Sequence, residues 1–216
     1  PLFTGLDAEI PAGKITAIVG PSGSGKGTVV QELLRRYPQF RLSISVTTRA
    51  PRPDEIHGKH YFFITDREFE TLRNSGGLLE YAGYVGHYYG TPAAFVENVI
   101  ANGENPLLEI EVQGALQIRK RRPDSVLIFL MPPNAHILEE RLRARGTDSD
   151  EIVAARMEQA RREIAQIDAY DYIVINEDGA IEAAAEQIAQ IIRAEQCRTT
   201  RMEQFAARFF KETCVK

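Results

Sequence analysis

A glycine-rich segment, GPSGSGKGT at residues 20–28, has the composition of a phosphate-binding loop. The apolar run KITAIVG precedes it, and a stretch with the apolar spacing of a helix follows. Glycines let the backbone approach a ligand closely, and successive N–H groups at the start of a helix attract an anion. The segment therefore predicts a site for the phosphates of a nucleotide.

The same segment follows the P-loop pattern GxxxxGK[ST] up to its lysine, which predicts binding of a nucleoside triphosphate such as ATP. Lys26 is expected to reach the outer phosphates. Gly27 stands where the pattern has Ser or Thr, so Thr28 or water would have to replace the hydroxyl that contacts Mg²⁺. A glycine turn without a ligand is the alternative, and the flanking strand and helix disfavour it. The predicted ATP-binding residues of this segment are Gly20, Pro21, Ser22, Gly23, Ser24, Gly25, Lys26, Gly27 and Thr28.

A second segment, TTRAPRPDEIHGKHY, concentrates cations and tyrosine in a chain whose formal net charge is −4. This acidity argues against a general nucleic-acid binder, so an anionic ligand needs a local positive cluster. Arg49 and Arg52 can hold phosphate oxygens with two hydrogen bonds each, which lysine cannot copy. Ser45, Tyr61 and Tyr89 can add neutral donors. The segment predicts a phosphate monoester site, with a solvated basic loop as the alternative.

Strand-like and helix-like runs alternate along the chain. Continuous apolar runs at 106–111 and 125–131 are typical of strands buried on both faces of a parallel sheet. The stretch 40–48 is rich in strand-forming residues, and 180–195 has a strong amphipathic period. The order predicts an α/β fold of three layers with a mainly parallel sheet.

Several separated motifs together resemble the guanylate kinase family, over about residues 15–192. They are the P-loop, TTRAPRPDEIHGKHYFF, LLEYAGYVGHYYGT, LLEIEVQG, RLRARGTDSDE and YIVIN. The resemblance implies a P-loop NTPase fold with a small mixed β insert that binds GMP and a helical lid. It also implies transfer of the γ-phosphoryl group of ATP to GMP, with Mg²⁺ as cofactor.

The resemblance divides residues 1–216, as a single domain, into four parts. The core is expected at about 1–42, 95–133 and 167–196. The GMP-binding region is expected at 43–94 and the lid at 134–166, and a helical tail at 197–216 would follow the core.

Guanine is recognised in this family by acids, and Glu80 and Glu111 match those positions. Guanine presents N1–H and a 2-amino group as adjacent donors, which a carboxylate accepts, whereas adenine presents an acceptor at N1. Thr91 matches the position of a hydroxyl that meets the base. The family often has Asp where this chain has Glu111, and the longer side chain could reach the same donors. An exposed strand residue is the alternative for Glu80.

The catalytic positions implied by the resemblance lie in the P-loop, the GMP-binding region and the lid. GMP phosphate is already ionised, so no strong general base is needed, and positioning with charge neutralisation would suffice. Surface pairing with Glu140 and Glu158 is the alternative for the lid arginines. Asn176 would lie near adenine, and Glu109 would hold Mg²⁺ through water or serve as a structural acid. The implied catalytic residues are Lys26, Arg49, Arg141, Arg145 and Arg156.

A protein-binding module is the rival interpretation, because related scaffold domains have lost catalysis and bind phosphopeptides at the old GMP site. Such domains typically lose the P-loop and lid arginines, which this sequence retains. The two cysteines, Cys197 and Cys214, are expected to be free thiols in a reducing cytoplasm. We expect no membrane association, signal peptide or nucleic-acid partner, and a homodimer stays open.

Overall fold

The computed structural model describes residues 14–84, 86–144, 146 and 148–201. Arg145, Cys214 and most of the predicted tail lie outside this range. Nine strands form two sheets within the described residues: β1 Thr16–Val19, β2 Phe40–Leu42, β3 Val46–Thr47, β4 Phe62–Phe63, β5 Leu78–Tyr84, β6 His87–Pro92, β7 Asn105–Glu109, β8 Val126–Met131 and β9 Tyr172–Ile175. The α-helices described are α1 Lys26–Arg36, α2 Asp66–Asn74, α3 Ala93–Ala101, α4 Val112–Arg121, α5 Ala135–Arg143, α6 Asp150–Ile164 and α7 Ile181–Gln196.

The main sheet has the order β2-β7-β1-β8-β9, and all its neighbouring strands are parallel. Its central strand, β1, pairs with β7 on one side and β8 on the other. The carboxyl ends of these strands meet at one edge, which is where open α/β sheets bind ligands. The P-loop therefore emerges at the centre of that edge.

Helices cover both faces of the main sheet. Helices α1 and α7 bury Val30, Leu33 and Ile188 against one face, and α4 buries Ala115 and Ile118 against the other. Burial of large apolar surfaces on both faces explains why the strands read as continuous apolar runs. The predicted α/β fold of three layers with a mainly parallel sheet is confirmed.

The second sheet has the order β4-β3-β6-β5 and mixes parallel and antiparallel pairs. It has its own small core of Val46, Phe69 and Leu78, in which α2 contributes the phenylalanine. Thr65 and Glu68 form a capping box that begins α2.

The lid segment contains α5 and α6, which pack on each other through Leu138, Leu142, Val153 and Ala160. Asn134 caps α5, and its side chain accepts a hydrogen bond from the N–H of Ile137. The hydrophobic clusters of the lid and the insert are thus separate from the two hydrophobic clusters that flank the main sheet. The predicted boundaries of these regions stay predictions.

One strand-rich stretch, 40–48, is divided between the two sheets. Its first part is β2 of the main sheet, and its second part is β3 of the insert. The local pattern predicted strand content but carried no signal for the change of sheet, because partners are chosen by distant strands. Within the described residues, no helix combines the length and apolar character needed to cross a membrane.

Candidate active site

The P-loop runs from β1 into α1. At two of its glycines the loop backbone lies very close to groups of neighbouring strands and loops. A Cβ at Gly20 (φ 154°) would lie 2.1 Å from the carbonyl oxygen of Leu130. A Cβ at Gly25 (φ 86°) would lie 2.4 Å from Nδ2 of Asn176. That amide nitrogen donates to the carbonyl oxygen of Ser24 at 2.8 Å, which ties the loop to the end of β9. Only glycine fits these two positions, so the loop geometry follows directly from the motif.

The side chain of Lys26 contacts the P-loop and approaches Glu111. Its Nζ donates to the carbonyl oxygen of Gly20 and lies 3.6 Å from Oε1 of Glu111. The side chain is only 10% exposed. One ammonium group therefore borders both the predicted triphosphate site and the predicted acceptor site.

A cavity of about 280 Å³ opens beside Lys26, between the edge of the main sheet and the insert. It brings together most of the predicted acceptor residues, although they come from segments far apart in the chain. Thr91 is fully buried and does not line the cavity. The predicted residues that line the cavity are Lys26, Ser45, Arg49, Arg52, Tyr61, Glu80, Tyr89, Glu109 and Glu111.

Arg49 is held by a carboxylate that the sequence reasoning did not identify. Its NH1 and NH2 groups donate to the two oxygens of Glu55 at 2.9 and 2.8 Å. The backbone N–H of Arg52 donates to the same carboxylate at 2.7 Å. The guanidinium also lies 5.6 Å from the ring centre of Tyr61. The hydrogen bonds from Arg49 hold the pKa of Glu55 at about 2, although burial opposes this shift.

Glu80 is a buried acid that lines the same cavity. It is 3% exposed, and Oγ1 of Thr91 donates to its Oε1 at 2.6 Å. Burial raises the pKa of Glu80 to about 7, against the lowering effect of the hydrogen bonds from Thr91. The alternative that Glu80 is an exposed strand residue is therefore excluded. The hydrogen bond from Thr91 orients the Glu80 carboxylate.

Gly114 provides the room that Glu80 occupies. It lies in the first turn of α4, and a Cβ there would stand 2.1 Å from Oε2 of Glu80. The sequence carried a signal for this residue, since glycine inside a helix is costly without a packing reason. Glu55 carried a weaker signal, as an acid three residues after Arg52.

The carboxylate of Glu109 faces the unusual glycine of the P-loop. A Cβ at Gly27 would lie 3.6 Å from Oε1 of Glu109, so the space of the usual Ser or Thr borders this acid. Burial raises the pKa of Glu109, and the nearby Lys26 partly offsets this. Carboxylate oxygens are ligands that Mg²⁺ prefers, so the donor set here fits a Mg²⁺ ion. Thr28 is exposed on the first turn of α1.

The lid contributes Arg156, which rests on the P-loop. Its NH1 donates to Oγ of Ser22 at 2.9 Å, and its NH2 donates to Oδ1 of Asp148 at 3.3 Å. Asp148 was not identified from the sequence. Helix α6 therefore contacts the P-loop through this guanidinium.

Arg141 takes a different position, beside the end of β9. Its NH2 donates to the carbonyl oxygen of Asn176 at 2.8 Å, and its Nε donates to Asp178 at 3.1 Å. Glu140 pairs instead with His136, and Glu158 pairs with arginines of its own helix. Within the described residues, Arg141 and Arg156 thus pair with Asp178 and Asp148, and not with the Glu140 and Glu158 that the alternative named.

Comparison with known proteins agrees with this geometry. A sequence profile described as guanylate kinase matches residues 12–195. The chain is 51% identical to a guanylate kinase of Streptococcus thermophilus over 191 residues, which cover 88% of this chain and 90% of the relative. It is 46% identical to a guanylate kinase of Desulfitobacterium hafniense over 88% of this chain and 94% of that one.

A solved structure extends the likeness to the fold. The crystal structure of guanylate kinase from Anaplasma phagocytophilum superposes with a TM-score of 0.76 at 33% identity, covering 95% of this chain and 98% of that one. The chain therefore belongs to the guanylate kinase family of nucleoside monophosphate kinases.

Proposed function

We propose that this chain transfers the γ-phosphoryl group of ATP to GMP, giving ADP and GDP for purine nucleotide metabolism. The position of Lys26 carries the proposal. Its ammonium group contacts the P-loop at Gly20 and borders the acceptor cavity at Glu111, 3.6 Å away. A cation shared by two phosphate sites is what direct transfer between two nucleotides requires.

The donor triphosphate lies, in this proposal, against the backbone N–H groups of residues 20–28. Helix α1 begins at Lys26 without a side-chain cap from Gly25, so its first N–H groups are available to phosphate oxygens. Adenine lies towards Asn176, whose Oδ1 is buried without a hydrogen-bond partner among the described residues. Arg141 borders the same position.

The acceptor phosphate is held by Arg49 and Arg52, with hydroxyl donors from Ser45, Tyr61 and Tyr89. Glu55 engages Arg49 through NH1 and NH2. These two hydrogen bonds fix the guanidinium plane, and the plane sets the direction in which the remaining N–H groups of Arg49 can donate to the phosphate. We assign Glu55 the role of orienting this arginine, in the way that neighbouring acids orient ligating side chains.

The guanine base is read by Glu80 and Glu111, and Thr91 orients Glu80. Because both acids line the cavity, they can accept the adjacent N1–H and 2-amino donors of guanine. Binding these donors favours the ionised form of Glu80, whose pKa is raised to about 7 by burial. Adenine would leave the buried acceptors unpaired, which a polar site rejects strongly.

Positioning and neutralisation of charge account for the chemistry. Lys26 and the lid arginines Arg145 and Arg156 stabilise the charge of the transferring phosphoryl group. Glu109 would hold Mg²⁺, with Thr28 or water completing its shell, and the ion would neutralise phosphate charge when bound. Closure of the lid and the insert excludes water, which suppresses hydrolysis of ATP.

A coupled assay tests the proposal, with Mg²⁺, ATP and each of GMP, AMP, CMP and UMP. We expect formation of GDP from GMP and little product from the other three. Lys26→Met is the control for transfer that depends on the P-loop. No GDP, or faster reaction with AMP, would contradict the proposal and favour the phosphopeptide-binding module. The cytoplasmic location and the homodimer stay predictions.

A further inference from the structure

A second, smaller cavity lies next to the acceptor cavity and shares Ala82 and Glu111 with it. Its volume is about 220 Å³. One wall is the first turn of α4, the second is β5 at Ala82 and Gly83, and the third is the lid helix α6. The predicted substrate contacts use only Glu111 of these residues, so the cavity has no assigned role in the transfer reaction.

Glu163 of α6 is the unusual residue of this cavity. It is 6% exposed, and its Oε1 accepts a hydrogen bond from Nε2 of Gln159 at 3.0 Å. Its Oε2 is buried and has no hydrogen-bond partner within the described part of the chain. A buried carboxylate oxygen without a donor is costly, so a partner is expected in some state of the molecule.

The opposite wall offers such donors. Helix α4 has Glu111 as its N-cap residue, and the Glu111 side chain makes no capping hydrogen bond to α4. The first turn of a helix leaves backbone N–H groups unsatisfied and carries a partial positive charge. Val112 and Gln113, in that turn, line the same cavity as Glu163. A carboxylate is the group that this helix end favours most.

The position of Glu163 on α6 connects the two substrate sites. Arg156 lies seven residues earlier on the same helix and contacts Ser22 of the P-loop. Seven residues are about two helical turns, or about 10 Å, so both side chains lie on one face of α6. The same helix therefore contacts the donor loop through a guanidinium and faces α4 across the smaller cavity with a carboxylate.

We propose that Glu163 is a positioning residue that caps α4 when the lid closes and thereby fixes Glu111 for the 2-amino group of guanine. This inference rests on the proposed function, since it assumes that GMP is the acceptor. Recognition of the base then stabilises the closed position of α6, which also carries Arg156 over the phosphates. Glu163 itself does not contact the substrate.

The test compares GMP with IMP, which has the same ring donor at N1 but no 2-amino group. The measured quantity is the ratio of kcat/KM for the two acceptors. Glu163→Ala is expected to lower the GMP:IMP ratio about tenfold, the size of effect expected from losing a buried charged hydrogen bond. Glu163→Gln keeps an oxygen acceptor without the charge, so the ratio falls by less, about threefold.

Glu158→Ala is the matched control, because Glu158 lies on the same helix and its side chain is 48% exposed. It should leave the ratio at the parent value. An unchanged ratio in both Glu163 variants, even with a lower melting temperature, would show a purely structural role and overturn the inference. If Glu163→Ala does not fold, Glu163→Gln decides alone, with calorimetric binding of GMP and IMP as the second measurement.

The parent chain is measured in the same series. Failure of the proposed function would appear as an inactive parent, whereas failure of this inference would appear as an active parent with variants of unchanged ratio. The two failures are therefore distinguishable.

Discussion

In the proposed function, the donor loop and the acceptor cavity bind phosphate in two different ways. The loop is one continuous segment, residues 20–28, and its main binding groups are backbone N–H groups held by glycine conformations. The cavity is assembled from side chains of the insert, the end of β7 and the start of α4. Its cations and acids face one another within about 280 Å³.

This difference has a physical consequence for robustness. Backbone N–H groups are neutral donors that do not titrate in the ordinary pH range, and their positions depend on few side chains. The acceptor cavity depends on ionisation and on pairs such as Arg49 with Glu55. We therefore expect mutation and pH to perturb the acceptor site in ways that leave the donor site intact.

Arg156 contacts the donor loop through Ser22, and its removal should have the largest effect. Arg156→Ala is expected to lower kcat about 10³-fold, because a guanidinium that neutralises the transferring phosphoryl group contributes on that scale. Its pair with Asp148 at 3.3 Å is largely buried, so its loss should also lower stability, by about 1–3 kcal/mol. Steady-state kinetics and thermal unfolding measure the two quantities.

Arg143→Ala is the control for the lid arginine, because Arg143 lies on α5 and pairs with Glu139 and Asp150 away from the P-loop. It should leave kcat near the parent value. If Arg156→Ala lowers the melting temperature strongly but lowers kcat no more than Arg143→Ala does, Arg156 serves the stability of the fold and not catalysis.

The buried acid Glu80 of the acceptor cavity should make the stability of the folded chain depend on pH. The unfolded chain releases this proton near pH 4.5 and the folded chain near pH 7, because burial raises the pKa of Glu80 to about 7. The folded state binds more protons between these values, so its stability falls as pH rises from about 4.5 to 7. Glu80→Gln should remove up to about 3 kcal/mol of this dependence.

Urea unfolding of the parent and of Glu80→Gln at pH 5 and pH 8 measures that difference directly. Glu177→Gln, at an exposed position after β9, is the control. The same pH dependence in parent and Glu80→Gln would mean that Glu80 ionises freely in the folded chain.

Arg49→Lys should have a smaller effect, confined to the acceptor side. Lysine keeps the charge but lacks the two parallel N–H donors of the guanidinium. The paired hydrogen bonds to Glu55 at 2.8 and 2.9 Å therefore cannot both form. We expect KM for GMP to rise about 30-fold, and KM for ATP to change much less. Arg67→Lys on the exposed face of α2 is the control. Equal increases in both KM values would break the distinction between the sites.

Local sequence was sufficient for most secondary structure. The segment DREFETLRN forms α2, Asp66–Asn74, and the capping residue Thr65 determines its first turn. The predicted last helix is α7, Ile181–Gln196, within one residue at each end. These elements were predictable because caps and apolar periods act over a few residues.

Sequence reasoning missed the residues whose role depends on a distant partner. Gly114 is explained only by the carboxylate of Glu80, 34 positions earlier, and Asp148 is explained by Arg156. Glu163 reads as one more acid on an amphipathic helix. Its burial and its cavity appear only when α6 packs beside α4 and β5.

By itself, the sequence determined the phosphate loop, the order of the elements and the types of residue available for each substrate. The reason is that glycine conformations, helix caps and hydrophobic periods are local properties of the chain. Only the tertiary structure decided which acid orients Arg49, which glycine admits Glu80, and where Glu163 lies. Those relations depend on contacts between distant segments, and the free energy of burying charged groups is set by the folded surroundings.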